Sequence, residues 1–320
     1  MNLDNLDQNL LAKLQNRFPL TTHPFADMGK TLALSGDEVI QRIQRLKKDG
    51  IVRQISPVFD ARSLRYVTTL IAMQVPEDRL ERCSGILHEN PYISHAYERE
   101  HSFNVWFTLA MPGTKDIEEE TMKIADAVPT DAIFQLPASK LFKIGAFFGT
   151  EGTYQATVGE LSQAAELSPE DRAVVNELQR DLPLTTRPFI EMSNKLGMHE
   201  ERFLERCRSL LERGIMRRYG AAVNHWKAGY TANAMVCWRV PSEKVDEIGQ
   251  HLALLREVSH CYERETSLKW PYNLYAMIHG KARETCRELA EKVSRDFGIE
   301  DFLVLFSTRE LKKTRIIYRV

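Results

Sequence analysis

Cysteine is scarce and scattered: Cys83, Cys207, Cys237, Cys261 and Cys286 are odd in number and form no CxxC pair. That excludes a disulfide framework and a thiolate zinc cage, and reduced thiols are expected. An excess of charge is missing too, since 43 Lys plus Arg stand against 44 Asp plus Glu. The overall basic footprint of a general nucleic-acid binder is therefore absent. No apolar run approaches the ~18 residues of a spanning helix. The opening MNLDNLDQNLLAKLQ is acidic and periodic, where a signal peptide would be basic and then continuously apolar. A soluble, cytoplasmic chain with no membrane partner is expected. GxGxxG, P-loop and GxSxG motifs are lacking, as are HxxxH and CxxC metal spacings, so no nucleotide cofactor, serine nucleophile or resident metal is expected. What is present is ordinary for a folded protein: 43% hydrophobic and 27% charged residues over 320 positions, room for about two domains of ~100–200 residues.

The chain repeats itself. PLTTHPF at 19–25 returns as PLTTRPF at 183–189, and DGIVRQ at 49–54 as RGIMRR at 213–218, both at offset 164. HAYERE at 95–100 returns as HCYERE at 260–265, offset 165, and Phe103 and Asn104 align with Tyr272 and Asn273 once Leu268–Pro271 is taken as an insertion. A period this long is no solenoid; duplication of a whole subunit explains it and makes the chain an intramolecular pseudo-dimer.

Within each copy the first part reads as helices. Leu6, Leu10, Leu11 and Leu14 keep helical spacing. Ser35 with Glu38 forms a capping-box pattern, Val39, Ile43 and Leu46 make the apolar stripe, and Gly50 sits where a left-handed cap belongs. The second copy repeats this with Phe203, Cys207, Leu210 and Gly214. A helix-turn-helix followed by a strand is predicted. The remainder of each copy alternates strand and helix as βαββαβ, a ferredoxin-like four-stranded antiparallel sheet backed by two helices. The expected fold is α+β, a tandem duplication of a winged helix-turn-helix and a ferredoxin-like domain. The boundaries fall at 1–56, 57–150, a linker at 151–168, then 169–220 and 221–320.

A helix-turn-helix invites a DNA-binding reading, but its predicted recognition helices open with Gly36, Asp37 and Glu38 and with Met198, His199, Glu200 and Glu201. Acidic groups at a helix N-terminus suit its dipole and repel phosphate. DNA is not the expected partner. The strands differ in character. His260, Tyr262 and Arg264 fall at i, i+2 and i+4, so they share one face while Cys261 and Glu263 take the other. His95, Tyr97 and Arg99 repeat the triplet, with His101 beyond it. Trp270, Tyr272, Asn273 and Tyr275 add aromatic surface, and Arg217, Arg218, Tyr219, Asn224 and His225 close the entry into the second sheet module. Aromatic faces cover a ring and arginine forks grip carboxylates, so the mixture suits a planar anionic ligand. A surface ladder of cross-strand pairs explains an HxYxR strand equally well, and its recurrence supports duplication more than function.

A helix-turn-helix followed by a βαββαβ module resembles the Lrp/AsnC family, with its dimerising ligand-binding domain. HCYERE, WPYNLYAMIHG, RRYGAAVNHWKAGY and HAYEREHSFNVWFTLAMPG resemble the siroheme decarboxylases of alternative haem and haem d1 biosynthesis, built from two paralogous subunits that can be fused. The resemblance implies a carboxy-lyase that removes the C12 and C18 acetate carboxyl groups of siroheme, giving 12,18-didecarboxysiroheme and CO2. It implies no added cofactor, the iron being carried by the substrate, and it leaves open both axial ligation of that iron by a histidine and further homo-oligomerisation. The alternative is an Lrp/AsnC-type regulator sensing a tetrapyrrole or another small ligand.

Decarboxylation of a pyrrole acetate needs an electron sink and a proton, and histidine is the natural acid. On this reading His225 and His260 are the expected acids. Arg217, Arg218 and Arg264 would hold the retained carboxylates, Tyr219, Tyr262, Tyr272, Asn224 and Asn273 would supply hydrogen bonds, and Trp270 would make ring contact. The first copy carries Asp60 and Ala61 where the second has Asn224 and His225. The second half is therefore expected to own the main pocket, with His95, Tyr97, Arg99 and His101 forming a shared wall or a lesser site.

Overall fold

The computed structural model describes residues 3–16, 18–128, 130–145, 163–224 and 226–320. His225 and most of the expected 151–168 linker lie outside them. The first copy runs α1 (Asn5–Asn16), α2 (Pro24–Lys30), α3 (Gly36–Lys48), β1 (Val52–Phe59), β2 (Tyr66–Gln74), α4 (Leu80–Glu89), β3 (Ile93–Arg99), β4 (Val105–Pro112), α5 (Ile117–Ala127) and β5 (Ala132–Ile144). The second runs α6 (Pro169–Leu178), α7 (Pro188–Lys195), α8 (Glu200–Glu212), β6 (Met216–Val223), β7 (Ala232–Trp238), α9 (Val245–Leu254), β8 (Val258–Arg264), β9 (Leu274–Gly280), α10 (Arg283–Phe297) and β10 (Phe302–Lys313).

Local chemistry sets the helix ends. The Glu38 N–H donates to the Ser35 hydroxyl at 3.2 Å and the Ser35 N–H to the Glu38 carboxylate at 2.7 Å, so both orphan donors at the start of α3 are satisfied. Gly50 closes that helix at φ +70° and Gly214 closes α8 at φ +71°, a backbone region that costs glycine little. The buried stripes of α3 (Val39, Ile43, Leu46) and α8 (Phe203, Cys207, Leu210) belong to one core shared by the two helix-turn-helix units. Phe18 and Phe189 meet edge to face at 6.4 Å across it. The strand expected after each unit pairs with its counterpart in the other copy: β1 runs antiparallel to β6, with Ile55 opposite Ala221 and Ser56 opposite Gly220.

Each ferredoxin-like module has the expected internal order, β3-β4-β2-β5 and β8-β9-β7-β10, but its sheet does not stand alone. β5 pairs with β8 (Leu141 opposite Tyr262) and β10 with β3 (Glu310 opposite Tyr97), closing one eight-stranded barrel. An isolated four-stranded sheet would leave β3 and β5 as unpaired edges; closure gives each a partner strand. Strand alternation then sorts the side chains. Ile71, Met73 and Leu109 face outward in the core beside α4 and α5, and Val236, Cys261 and Ile278 do so beside α9 and α10. Ala72, Trp106, Leu136, Met235, Tyr275 and Leu305 face inward and join Trp270 in a cluster that fills one end of the barrel. The other end lies beneath the β1–β6 ribbon. Among the described residues no helix is long and apolar enough to cross a membrane.

Candidate active site

Between the aromatic plug and the β1–β6 ribbon lies a cavity of about 1910 Å³, well above the ~300–1,000 Å³ of ordinary small-molecule pockets. Its walls are the inward faces of β3 and β8, the ribbon, and the segment that follows β10. The pairing of β3 with β4 slips between Ile93 and His95, and that of β8 with β9 between Val258 and His260. Such a bulge inserts a residue and re-aims its neighbours. Two consecutive side chains therefore reach the cavity at each place, Ser94 with His95 and Ser259 with His260. The serine hydroxyls lie 2.8 Å and 2.9 Å from Nδ1 of His95 and His260. With Nδ1 so engaged, Nε2 is the nitrogen left to meet a ligand.

Beyond the bulges the alternation holds. Tyr97 and Arg99 follow His95 onto the cavity wall, Tyr262 and Arg264 follow His260, and Ala96 and Cys261 point outward. The guanidiniums are fixed by the closing seams: Arg99 donates to the Leu305 carbonyl at 3.0 Å and Arg264 to the Leu136 carbonyl at 2.8 Å. Arg264 also lies over the Tyr262 ring at 4.9 Å, and Arg99 over Tyr97 at 5.5 Å. The two triplets are related by the pseudo-twofold of the barrel. His260 and Tyr262 are nearly parallel, their ring centroids 6.4 Å apart.

The electrostatics are one-sided. Arg53, Arg62, Arg99, Arg217, Arg218, Arg264, Arg315 and Lys313 line the cavity among the described residues, against one carboxylate, Asp60. Asp60 pairs with Arg217, and Arg53 pairs with Glu310 at 2.7 Å. Arg62 donates to the Ala138 carbonyl and Arg315 to those of Pro57 and Gly220, neutral acceptors that leave their charge uncancelled. Burial lowers Arg99 and Arg315 to about 10 and Lys313 to about 8, so all three remain cationic at neutral pH. His95 is accessible, but what reaches it is the protein-walled cavity; enclosure first, then Lys313 and the neighbouring cations, hold it down to about 3. His260 is held down to about 4 by burial, then by Arg218, Lys313, Lys143 and Arg264. Both imidazoles are neutral in the ligand-free chain. An excess of fixed cations around one cavity is the complement of a ligand with several carboxylates.

Several expected residues do not come to this cavity. Trp270 is buried in the plug, its N–H donating to the Tyr275 hydroxyl at 2.7 Å, and Tyr272 packs against it with ring centroids 5.1 Å apart. Asn273 clasps Val240, accepting from its N–H at 2.8 Å and donating to its C=O at 2.9 Å; Asn104 does the same to Val75. His101 accepts from the Phe103 N–H at 3.0 Å and sits edge-on to Trp270. The Asn224 carboxamide accepts from the Lys227 N–H and shapes a turn. Arg217, Arg218 and Tyr219 do reach the cavity wall, though the Tyr219 ring is mainly core between Phe18 and Phe189. The second half does not own the pocket: His95, Tyr97 and Arg99 contribute as fully as their counterparts, because barrel closure brings both triplets to one space.

Sequence reasoning missed Arg53, Lys313, Arg315, His279 and the two bulge serines. Arg53 carried a signal, since it aligns with Arg217 in the repeat. The helix-turn-helix offers little to a phosphate backbone: Arg42 and Arg45 of α3 pair with Asp7, Lys47 with Asp181, and Arg213 beyond α8 with Asp171.

The fold and the cationic cavity define a duplicated ligand-binding protein of mixed architecture, and the comparisons say which. Residues 64–143 and 227–312 match the AsnC-like ligand binding domain, and residues 7–53 and 171–217 match the siroheme decarboxylase NirDL-like HTH domain. A siroheme decarboxylase of Hydrogenobacter thermophilus is 38% identical over 319 residues, covering 99% of this chain and 96% of that one. The crystal structure of the siroheme decarboxylase NirDL superposes with a TM-score of 0.73 at 37% identity, over 98% of this chain and 94% of that one. Its co-complex with an iron-uroporphyrin III analogue gives 0.72 at 36%, over 99% and 95%. The chain belongs to the siroheme decarboxylase family.

Proposed function

We infer that this protein decarboxylates siroheme inside the barrel, removing the C12 and C18 acetate carboxyl groups as CO2 to give 12,18-didecarboxysiroheme. The observation that carries the reading is the cavity lined, among the described residues, by seven arginines and Lys313 against a single acid. A related siroheme decarboxylase, NirDL, has been crystallised in co-complex with an iron-uroporphyrin III analogue. The arginines bind and orient the carboxylates that stay; a guanidinium clamped on the departing group would stabilise the ground state and slow the reaction. When CO2 leaves, the electron pair left on the acetate methylene takes a proton. His95, brought to the imidazolium form by the carboxylates of the bound ligand, and His260, with Nε2 toward the ligand, are placed to give it, a role that contributes about 10²- to 10⁴-fold. His225 is retained as a third candidate donor. The iron enters with the substrate and no further cofactor is needed; the site works in the cytoplasm within one pseudo-dimeric chain. Anaerobic incubation with siroheme, then mass spectrometry of the extracted tetrapyrrole, tests this: two lost CO2, about 88 Da, are expected where an acid supplies both protons. Tight binding without mass loss would leave a tetrapyrrole sensor instead.

A further inference from the structure

The two cavity histidines differ in what stands behind them. At the His260 end the Ser259 hydroxyl touches two imidazoles, Nδ1 of His260 at 2.9 Å and Nε2 of His279 at 2.7 Å. Its third neighbour, the Met277 carbonyl, is farther, at 3.4 Å. Ser259 is buried and His279 faces the cavity from β9, opposite Asn233 of β7. At the His95 end Ser94 is present, but the barrel register places Ala110 where His279 stands: Ala110 lies opposite Thr68 in β4–β2 as His279 lies opposite Asn233 in β9–β7.

We propose that His279, acting through Ser259, is a positioning and proton-relay residue for His260, and that the His95 end has no such relay. The proposal rests on the decarboxylase reading above. A hydroxyl has one proton, so when His279 donates from Nε2 the serine donates onward to Nδ1 of His260. Neutral His260 then carries its own proton on Nε2, facing the ligand. During reaction the C–C bond to the carboxylate breaks and CO2 departs, leaving the electron pair on the methylene. The Nε2 proton of His260 forms the new C–H bond, the Ser259 hydroxyl proton moves to Nδ1, and the Nε2 proton of His279 moves to Ser259. His279, doubly protonated at the start, ends as the neutral imidazole, and solvent restores its proton, one per CO2. The cations facing His260 are Arg218, Lys313, Lys143 and Arg264. They disfavour a standing imidazolium there, so a proton delivered on demand from His279 answers a need that the geometry creates.

The test uses the full chain in two measurements. In ¹⁵N-histidine NMR of the substrate-free protein, His260 is expected as the Nε2–H tautomer, kept in His279→Gln, whose amide can still donate to Ser259, and mixed in His279→Ala and Ser259→Ala. In turnover, His279→Gln, His279→Ala and Ser259→Ala are expected to lose about 10- to 100-fold in kcat, a fraction of a full general-acid effect, with KM within about twofold, which loss of packing would not give. The rate against D2O fraction should change from curved to linear. Ser94→Ala should leave the His260 tautomer untouched. A wild-type His260 protonated on Nδ1, or wild-type kcat and curvature in His279→Ala, overturns the relay. If wild-type chain releases no CO2 from siroheme, the proposed reaction fails, and the tautomer result still decides the His279–Ser259–His260 linkage.

Discussion

At one end of the cavity His95 sits on its bulge opposite Thr108 and beside Lys313; at the other His260 sits on the matching bulge opposite Met277 and beside Ile144. Backbone, serine, tyrosine and arginine are the same at both ends, while the first has Lys313 where the second has Ile144, and the second has His279 where the first has Ala110. Duplication supplied two equal half-sites, and later substitution made them unequal without moving the strands. An unsymmetrical macrocycle placed between unequal ends has one favoured orientation, which two identical ends would not provide.

The largest expected effect separates the two imidazoles. His95→Ala and His260→Ala should each cost about 10²- to 10⁴-fold in turnover if both donate protons, measured by CO2 release; near-wild-type rates in both would return the question to His225. A smaller effect tests the cation at the first end. Lys313→Ile gives the first end the side chain of the second, and loss of one charge-assisted contact, about 1.5–3 kcal/mol, should weaken siroheme binding roughly 10- to 100-fold in a titration. If affinity is unchanged, that cation is not what distinguishes the ends. Where the halves match, the responses should match: Asn104→Ala and Asn273→Ala each break a two-bond clasp and should lower unfolding free energy by about 1–2 kcal/mol with KM unchanged. A raised KM in Asn273→Ala alone would restore that residue to the substrate site.

The smallest effect is in pH. Both histidines are held below their ordinary value, to about 3 and about 4, so below pH ~6.5 the unfolded chain binds more protons than the folded one. Their contribution to stability is complete above that pH and is lost as pH falls toward the folded values. Tm should drop between pH 7 and pH 5, and either alanine variant should flatten the slope; a flat wild-type profile would contradict the enclosure of both rings.

Much of this was legible in the residues. The repeat, the capped helices and the facing of His260, Tyr262 and Arg264 follow from offsets and periods that a linear string displays. Barrel closure does not, because the pairing of β10 with β3 depends on edges meeting in space. With closure hidden, the two triplets looked like separate walls and the second half seemed to own the pocket. The bulges were hidden as well, since nothing in SHAYER or SHCYER marks the serine as an inserted residue. Trp270, Tyr272 and Asn273 were drawn to the ligand by residue type, yet they lie on the far side of the plug, where bulk and a side-chain amide serve packing and a loop clasp. Lys313 stayed unnoticed because a single cation at a strand end carries no periodic signal, and Arg53 was passed over although the repeat aligns it with Arg217.

The seam between β10 and β3 bears on how the molecule is made. Arg99 bonds to Ser307 across 208 residues of chain, and contacts of that span close late and slowly. On the ribosome the first module would be complete as a four-stranded sheet long before its outer strand meets a partner, with Arg99 and His95 exposed on an open edge. Synthesis of β10 completes the enclosure, so the site is born all at once, and a nascent chain holding only the first half is a species that needs guarding from its own kind.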